Sequence, residues 1–497
     1  MKLKQLILII LLTGFLSCQN SKNKTIIIGK IVGEIPERLE YTVPINGINY
    51  FGFEDSVQPD SMGNFQINLD IDKPCFIEFS SGYKAYGTVI AEPEMSYSVF
   101  IDLDAKENAF SVKSENEKGQ ELYNKIANRS MIAGGHFELK SRNYLKDSVV
   151  AEIKQSIKNT HEAEIEGFRN LFQNKIISKD FFELVREDRE YFYKGVQGSV
   201  AFINYLQTER GQNLLNRDEF SEMWKDIFQE KPVFDPELMR SPWFFYYTQN
   251  YLRYNELILD SMNTDSLAEM YKQGLIHTHT IENAKHYLSG PQLEYYFAAY
   301  IYYEAINKNY EKELIALFEQ FKTEYPTSKF IQFLESEIIP IIAFHNKKEE
   351  PMNENIRFVD GSEDYNSFNE VLARFKDKRI FVDVWATWCG ACKTEFKYNE
   401  ELYNLLKEND VTLLYVSIDK QVREKQWKDM INYYNLEGYH LRANEKLSAD
   451  LVNLYSGRGI AIPWHILIDE DGKIIVKHAS GPSLLDKLKN ELKNNGF

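Results

Sequence analysis

Residues 382–396 read VDVWATWCGACKTEF, and Cys389 and Cys392 stand three apart in a chain that has only 4 cysteines among 497 residues. The run before them, RIFVDVWA, is apolar and rich in β-branched and aromatic residues, as a buried strand is, whereas the segment after Cys392 carries helical spacing. A cysteine at that junction faces unpaired backbone N–H groups and the positive end of a helix dipole, which stabilise its thiolate. Thiolates are the form that attacks disulfides. One turn later Cys392 falls on the same face, near enough to bond Cys389 and too sheltered to be attacked first. Cys389 is therefore the expected nucleophile and Cys392 the resolving thiol.

Other uses of the pair need other surroundings. A zinc site requires a second CxxC or closely spaced histidines, and neither occurs in the last third of the chain. A copper site made of both cysteines with His465 or His478 is the remaining metal reading. A purely structural staple is poorly served by so short a loop, which constrains the unfolded chain very little. Around the pair the order is strand (RIFVDVWA), helix (CKTEFKYNEELYNLLKE), strand (VTLLYVSID), helix (VREKQWKDMINYYN), strand (AIPWHILID), a turn at Asp471-Gly472, strand (KIIVKHA) and helix (SLLDKLKNELKN). That is an α/β layer around a mixed sheet.

VDVWATWCGAC, together with the later GIAIPWHILIDEDGKI, resembles the active site of the thioredoxin fold and, more narrowly, of the TlpA/ResA-like membrane-anchored thiol-disulfide reductases, over about Phe358 to Phe497. The resemblance implies a cis peptide bond before Pro463, which lies against the sulfurs, with Ile462 offering backbone hydrogen bonds to a substrate chain and Trp388 and Pro463 also expected to bind substrate. It implies that Asp383, six residues before Cys389, takes the proton of the resolving thiol. A carboxylate in an apolar strand is costly to ionise, so its pKa should rise into the range of a general base. Glu395 matches a glutamate that lies near the sulfurs in that family. The chain departs from the pattern at Ala391 and Lys397, where prolines are common, and at Trp464, whose indole is expected to narrow the substrate groove. By strand alternation His465 points away from Trp464 and toward Asp383, with which it is expected to share a proton, the competing reading being a core histidine with a backbone partner.

The rest of the chain sets the context. MKLKQLILIILLTGFLSCQN has the basic, apolar and cleavage regions of a secretory signal, and FLSC resembles a lipobox, so Cys18 is the expected lipidation site. The apolar run is shorter than the roughly 20 residues needed to span a bilayer. Acyl chains on Cys18 would hold the chain to a membrane surface. The expected organisation is a signal peptide at 1–17, a tether at 18–24, a β-rich sandwich-like domain at 25–112, an all-α domain at 116–348, a linker at 349–357 and the thioredoxin-like domain at 358–497. Met62-Gly63-Asn64 reads as a hairpin turn. His277, His279 and His286 lack metal-site spacing and read as surface residues. Cys75, in the apolar run CFIEF, reads as an inert buried thiol.

The formal net charge of −16 argues against nucleic-acid partners. The expected function is a lipid-anchored thiol-disulfide oxidoreductase facing the periplasm. It needs no cofactor or metal, reduces disulfides of cell-envelope proteins and draws electrons from a membrane thiol donor. The competing expectation is a binding or assembly lipoprotein that uses the thioredoxin fold for docking.

Overall fold

A computed structural model describes residues 24–45, 53–81, 84–105, 109–130, 140–145, 149–209, 217–228, 239–347, 350–361 and 364–497. The expected signal peptide, Cys18 and nearly all of the tether lie outside the described residues. The chain divides into two compact units, Met1–Met262 and Asn263–Phe497. The helical region expected over 116–348 is thus shared between them, and the expected linker at 349–357 falls inside the second.

In the first unit the described strands are β1 (Thr25–Val32), β2 (Leu39–Thr42), β3 (Glu54–Val57), β4 (Asn64–Leu69), β5 (Cys75–Ser81), β6 (Lys84–Ala91), β7 (Ser96–Asp102) and β8 (Phe110–Lys113). They form two sheets, ordered β4-β1-β7-β8 and β3-β2-β5-β6. Alternation in β4 turns Phe65, Ile67 and Leu69 inward, where they share one core with Ile27, Ile77, Phe79 and Val99 from both sheets. Cys75 lies in that core, and burial pushes its thiol pKa up. Asp60 accepts hydrogen bonds from the backbone N–H of Met62 and of Asn64, each at 2.8 Å, and Gly63 adopts φ 82°, so the expected turn forms. It is not a hairpin, because β3 and β4 belong to different sheets. The helix Glu117–Asn124 seals the edge of β6. The side-chain amide of Gln120 exchanges hydrogen bonds with the backbone of Ile90, and that of Asn124 with the backbone of Thr88. Long helices, Val150–Gln173 and Lys179–Glu209 among them, complete this unit.

The second unit opens with helices Thr264–Gln273, Ile276–Tyr287, Gly290–Ile306, Glu313–Glu324 and Ile331–Lys347. His277 is not at the surface here: it is buried with Nδ1 2.9 Å from the Tyr300 hydroxyl, because the amphipathic face of its helix turns it toward Gly290–Ile306. Six strands follow, β9 (Ile356–Phe358), β10 (Arg379–Trp385), β11 (Val411–Ser417), β12 (Gly438–Arg442), β13 (Trp464–Ile468) and β14 (Ile474–Ala479), in the order β14-β13-β10-β11-β12-β9. β10, β11, β12 and β9 run parallel, β13 runs antiparallel to β10, and β14 antiparallel to β13, giving a mixed sheet with helical crossovers. β9, β12 and the helix Glu445–Tyr455 extend the layout expected from the sequence. No helix among the described residues is long and apolar enough to cross a membrane.

Candidate redox site

β10 is buried from Ile380 to Trp385, as a central strand with both sheet faces covered must be. It delivers the chain through Ala386–Trp388 to Cys389, the N-cap of the helix Gly390–Glu395, whose Sγ accepts a hydrogen bond from the Cys392 N–H at 3.0 Å. The two cysteines are disulfide-bonded, with Cα atoms 5.4 Å apart. Cys389 is 6% exposed and Cys392 1%, so the first is the more accessible sulfur. Trp388, 50% exposed, stands beside it.

The turn before the pair is held from two sides. Thr387 donates from its backbone N–H and its hydroxyl to the Asp419 carboxylate, at 2.8 and 2.7 Å, and the Ser417 hydroxyl donates to the same carboxylate at 2.8 Å. On the other side Lys393 Nζ donates to the Thr387 carbonyl at 2.8 Å. The Ile462–Pro463 bond is cis. Because Val384 pairs with Trp464 in antiparallel register, Pro463 comes level with Trp385 at the end of β10, from which the Cys389 turn departs.

Trp464 does not line a groove. It is 2% exposed, donates from Nε1 to the Lys477 carbonyl at 2.6 Å and meets Tyr455 edge-on at 5.0 Å. The helix Glu445–Tyr455 covers that face of the sheet, so the indole is core. His478 packs against Tyr455 at 5.2 Å, and His465 faces Asp383, so both histidines of the copper reading have other neighbours.

Asp383, 1% exposed, is pushed up to about 8, first by burial and then by the charge of Glu395. His465 lies opposite it in register, with Nε2 3.6 Å from Asp383 Oδ1. That distance is too long for a hydrogen bond. Burial pushes the imidazole down to about 4, so near neutral pH an uncharged carboxyl faces an uncharged ring, and the pair is not an ion pair. Neither of these two atoms has a hydrogen-bond partner among the described residues.

Glu395 spends both oxygens on Ser483, accepting from its backbone N–H at 2.8 Å and its hydroxyl at 2.6 Å. It thereby caps the turn Pro482–Leu484 that leads into the last helix. Gly481 separates Glu395 from His465. A Cβ there would lie 2.6 Å from His465 Cε1 and 3.0 Å from Glu395 Oε2, so this glycine is required by space, its φ of −83° being open to any residue. Sequence reading missed Thr387, Lys393, Asp419, Gly481 and Ser483; the local signals were Asp419 just past a strand end and a glycine before Pro482.

A dithiol at a strand-to-helix junction, a cis-proline strand beside it and a protonatable carboxyl in the central strand define a thioredoxin-fold redox domain. Residues 350–492 match the Redoxin family. The chain is 30% identical over 122 residues to the thiol-disulfide oxidoreductase ResA of Bacillus thuringiensis, a match covering 24% of this chain and 66% of that protein, just under two thirds of its length. Among solved structures it resembles a thiol:disulfide interchange protein from a Bacteroides species (30% identity, 24% of this chain, 78% of the other, TM-score 0.21). It also resembles the thioredoxin domain of a thiol-disulfide oxidoreductase from Bacteroides vulgatus (28% identity, 25% and 82%, TM-score 0.21).

Proposed function

We propose that the protein is a thiol-disulfide oxidoreductase that reduces disulfides of cell-envelope proteins, held to a membrane through a lipid on Cys18 and facing the periplasm. The observation that carries this reading is the bonded Cys389–Cys392 pair at the N-terminus of a helix, with the buried carboxyl of Asp383 in the strand that precedes it.

In the reducing direction the reduced pair starts the cycle. The Cys389 thiolate attacks one sulfur of a substrate disulfide, forming a mixed disulfide and releasing the substrate's other sulfur as a thiolate, which takes a proton from water. The Cys392 thiol then gives its proton to the Asp383 carboxylate, and the new thiolate attacks Cys389 Sγ. The second substrate sulfur leaves as a thiolate that takes up the proton held by Asp383, two electrons and two protons have passed to the substrate, and the Cys389–Cys392 disulfide is restored. A carboxyl with a pKa near that of an ordinary thiol suits this exchange, because neither direction of proton transfer is steeply uphill. A membrane dithiol donor would re-reduce the pair. Trp388 and the backbone of Ile462 next to Pro463 are the proposed contacts for the substrate chain, and Glu395 acts through its charge on Asp383. Reading the leader as a lipoprotein signal supports the anchor.

The test is reduction of insulin disulfides by the full chain and by Cys389→Ser. Loss of turnover in the variant is expected. Equal rates would leave docking, the role of a binding or assembly lipoprotein, as the use of this fold.

A further inference from the structure

Lys393 follows Cys392 directly, and its position on a short helix would ordinarily leave an ammonium in water. It is 3% exposed instead, and its Nζ donates to three backbone carbonyls: Thr387 at 2.8 Å, Asn307 at 2.9 Å and Lys308 at 2.8 Å. An ammonium has three N–H donors, so this set saturates it. Two of the acceptors belong to the end of the helix Gly290–Ile306, for which Asn307 is the C-cap. A cation there meets the negative end of the helix dipole, which offsets part of its desolvation. The third acceptor belongs to the turn that leads into Cys389.

The loop that receives Lys393 is itself fixed in place. Lys308 and Tyr310 hold φ of 53° and 58°, unusual for residues with side chains. Gln426 donates to the Asn309 carbonyl at 3.1 Å, the Tyr310 ring stacks on Phe344 at 4.7 Å, and its hydroxyl bonds that of Tyr434. Glu311 at the end of the loop is largely buried, its Oε2 has no hydrogen-bond partner among the described residues, and its charge acts on Lys393. The other charged groups that act on Lys393 are Lys308, Arg423 and Asp419.

We propose that the loop Asn307–Glu311 is a working part of the redox site and that Lys393 is the positioning residue that couples it to the dithiol, holding the Thr387 carbonyl and placing a cation beside the Cys389 turn. This rests on the oxidoreductase reading. The redox domain then extends beyond the Redoxin match to include the helical segment before it, and its potential answers to that segment. Burial holds the ammonium pKa down to about 7, so the cation acts on the pair mainly below neutrality.

The test equilibrates the full chain with glutathione near pH 6, where the protein disulfide and two glutathione thiols give the dithiol and one glutathione disulfide. Lys393→Met is expected to lower that equilibrium constant about tenfold, a potential roughly 30 mV more negative, and Lys393→Arg to restore most of it. Glu311→Gln is expected to shift the pH at which the constant changes in the native background and to do nothing in the Lys393→Met background. A purely structural lysine would lower melting temperature and leave the constants unchanged, which overturns the proposal. If Lys393→Met does not fold, Glu311→Gln alone decides, and an unshifted profile overturns it. A native pair that never exchanges with glutathione refutes the oxidoreductase reading and this proposal together, whereas exchange with unresponsive variants refutes the proposal alone.

Discussion

Asp383→Asn should make the protein slower and more stable at once. The native carboxyl is buried in β10 and keeps its proton to about pH 8. In the unfolded chain an aspartate loses its proton near pH 3.9. The folded pKa is raised, so the group's contribution to stability is fully present below about pH 4 and is lost as pH climbs through about 8. Each unit in that window removes about 1.4 kcal/mol, or up to about 4 kcal/mol by pH 7. Asparagine has nearly the shape of the protonated acid and does not titrate. The variant should therefore match the native protein near pH 4 and gain on it steadily with pH. Chemical unfolding of both chains at matched pH values measures the difference, in which the oppositely directed contributions of His465, Lys393 and the His440 imidazole in β12, all of whose pKa values burial lowers, cancel. Kinetically, about one carboxyl in ten is ionised one pH unit below its pKa, so the native resolving step should rise roughly tenfold toward a plateau above pH 8. Losing a positioned base should slow that step by about 10²- to 10⁴-fold. Stopped-flow reaction of the reduced chain with a chromogenic aromatic disulfide separates the two thiol releases, the second of which reports resolution. A stability difference that does not grow with pH, or a second release untouched by the substitution, would refute the reasoning.

The neighbours of Asp383 should move its inflection in opposite directions. His465→Leu removes a polar neighbour and should raise the pH at which resolution reaches its plateau, while Glu395→Gln removes the negative charge that pushes Asp383 up and should lower it; stopped-flow pH profiles compare them. Gly481→Ala forces a methyl against His465 and Glu395 and should cost about 1–3 kcal/mol in unfolding experiments, with a shifted profile as well. Trp464→Ala should cost about 3–5 kcal/mol through lost core packing, with KM for insulin disulfides unchanged, because the indole does not reach the surface.

What the sequence disclosed and what it hid follow from the range of the interactions. The pair, its strand and helix, and the proline after GIAI are local features, each signalled by its own residues. The placement of His465 opposite Asp383 also followed from local alternation, once two strands were taken as neighbours. Trp464 shows the limit of that reasoning: alternation put it on the other face of β13, but only the helix Glu445–Tyr455 makes that face core. The strand GYHLR and the helix EKLSADLVNLY passed unread although local signals mark their starts, Gly438 at φ 139° for the strand and the N-cap Asn444, which accepts from the Leu447 N–H, for the helix. Glu395 was singled out for closeness to the sulfurs, whereas its partner Ser483 is 88 residues away in the chain. Lys393 was invisible for the same reason: a lysine after a CxxC reads as solvent-exposed until the carbonyls of Asn307 and Lys308 are brought onto it.

The most direct test of the central claim is mass spectrometry of a Cys392→Ser chain after reaction with a disulfide-bonded protein such as insulin. Without the resolving thiol, the account predicts a trapped mixed disulfide joined at Cys389, with Cys75 remaining a free thiol. An adduct at Cys75, or none at Cys389 while the native chain still reduces the substrate, would contradict it.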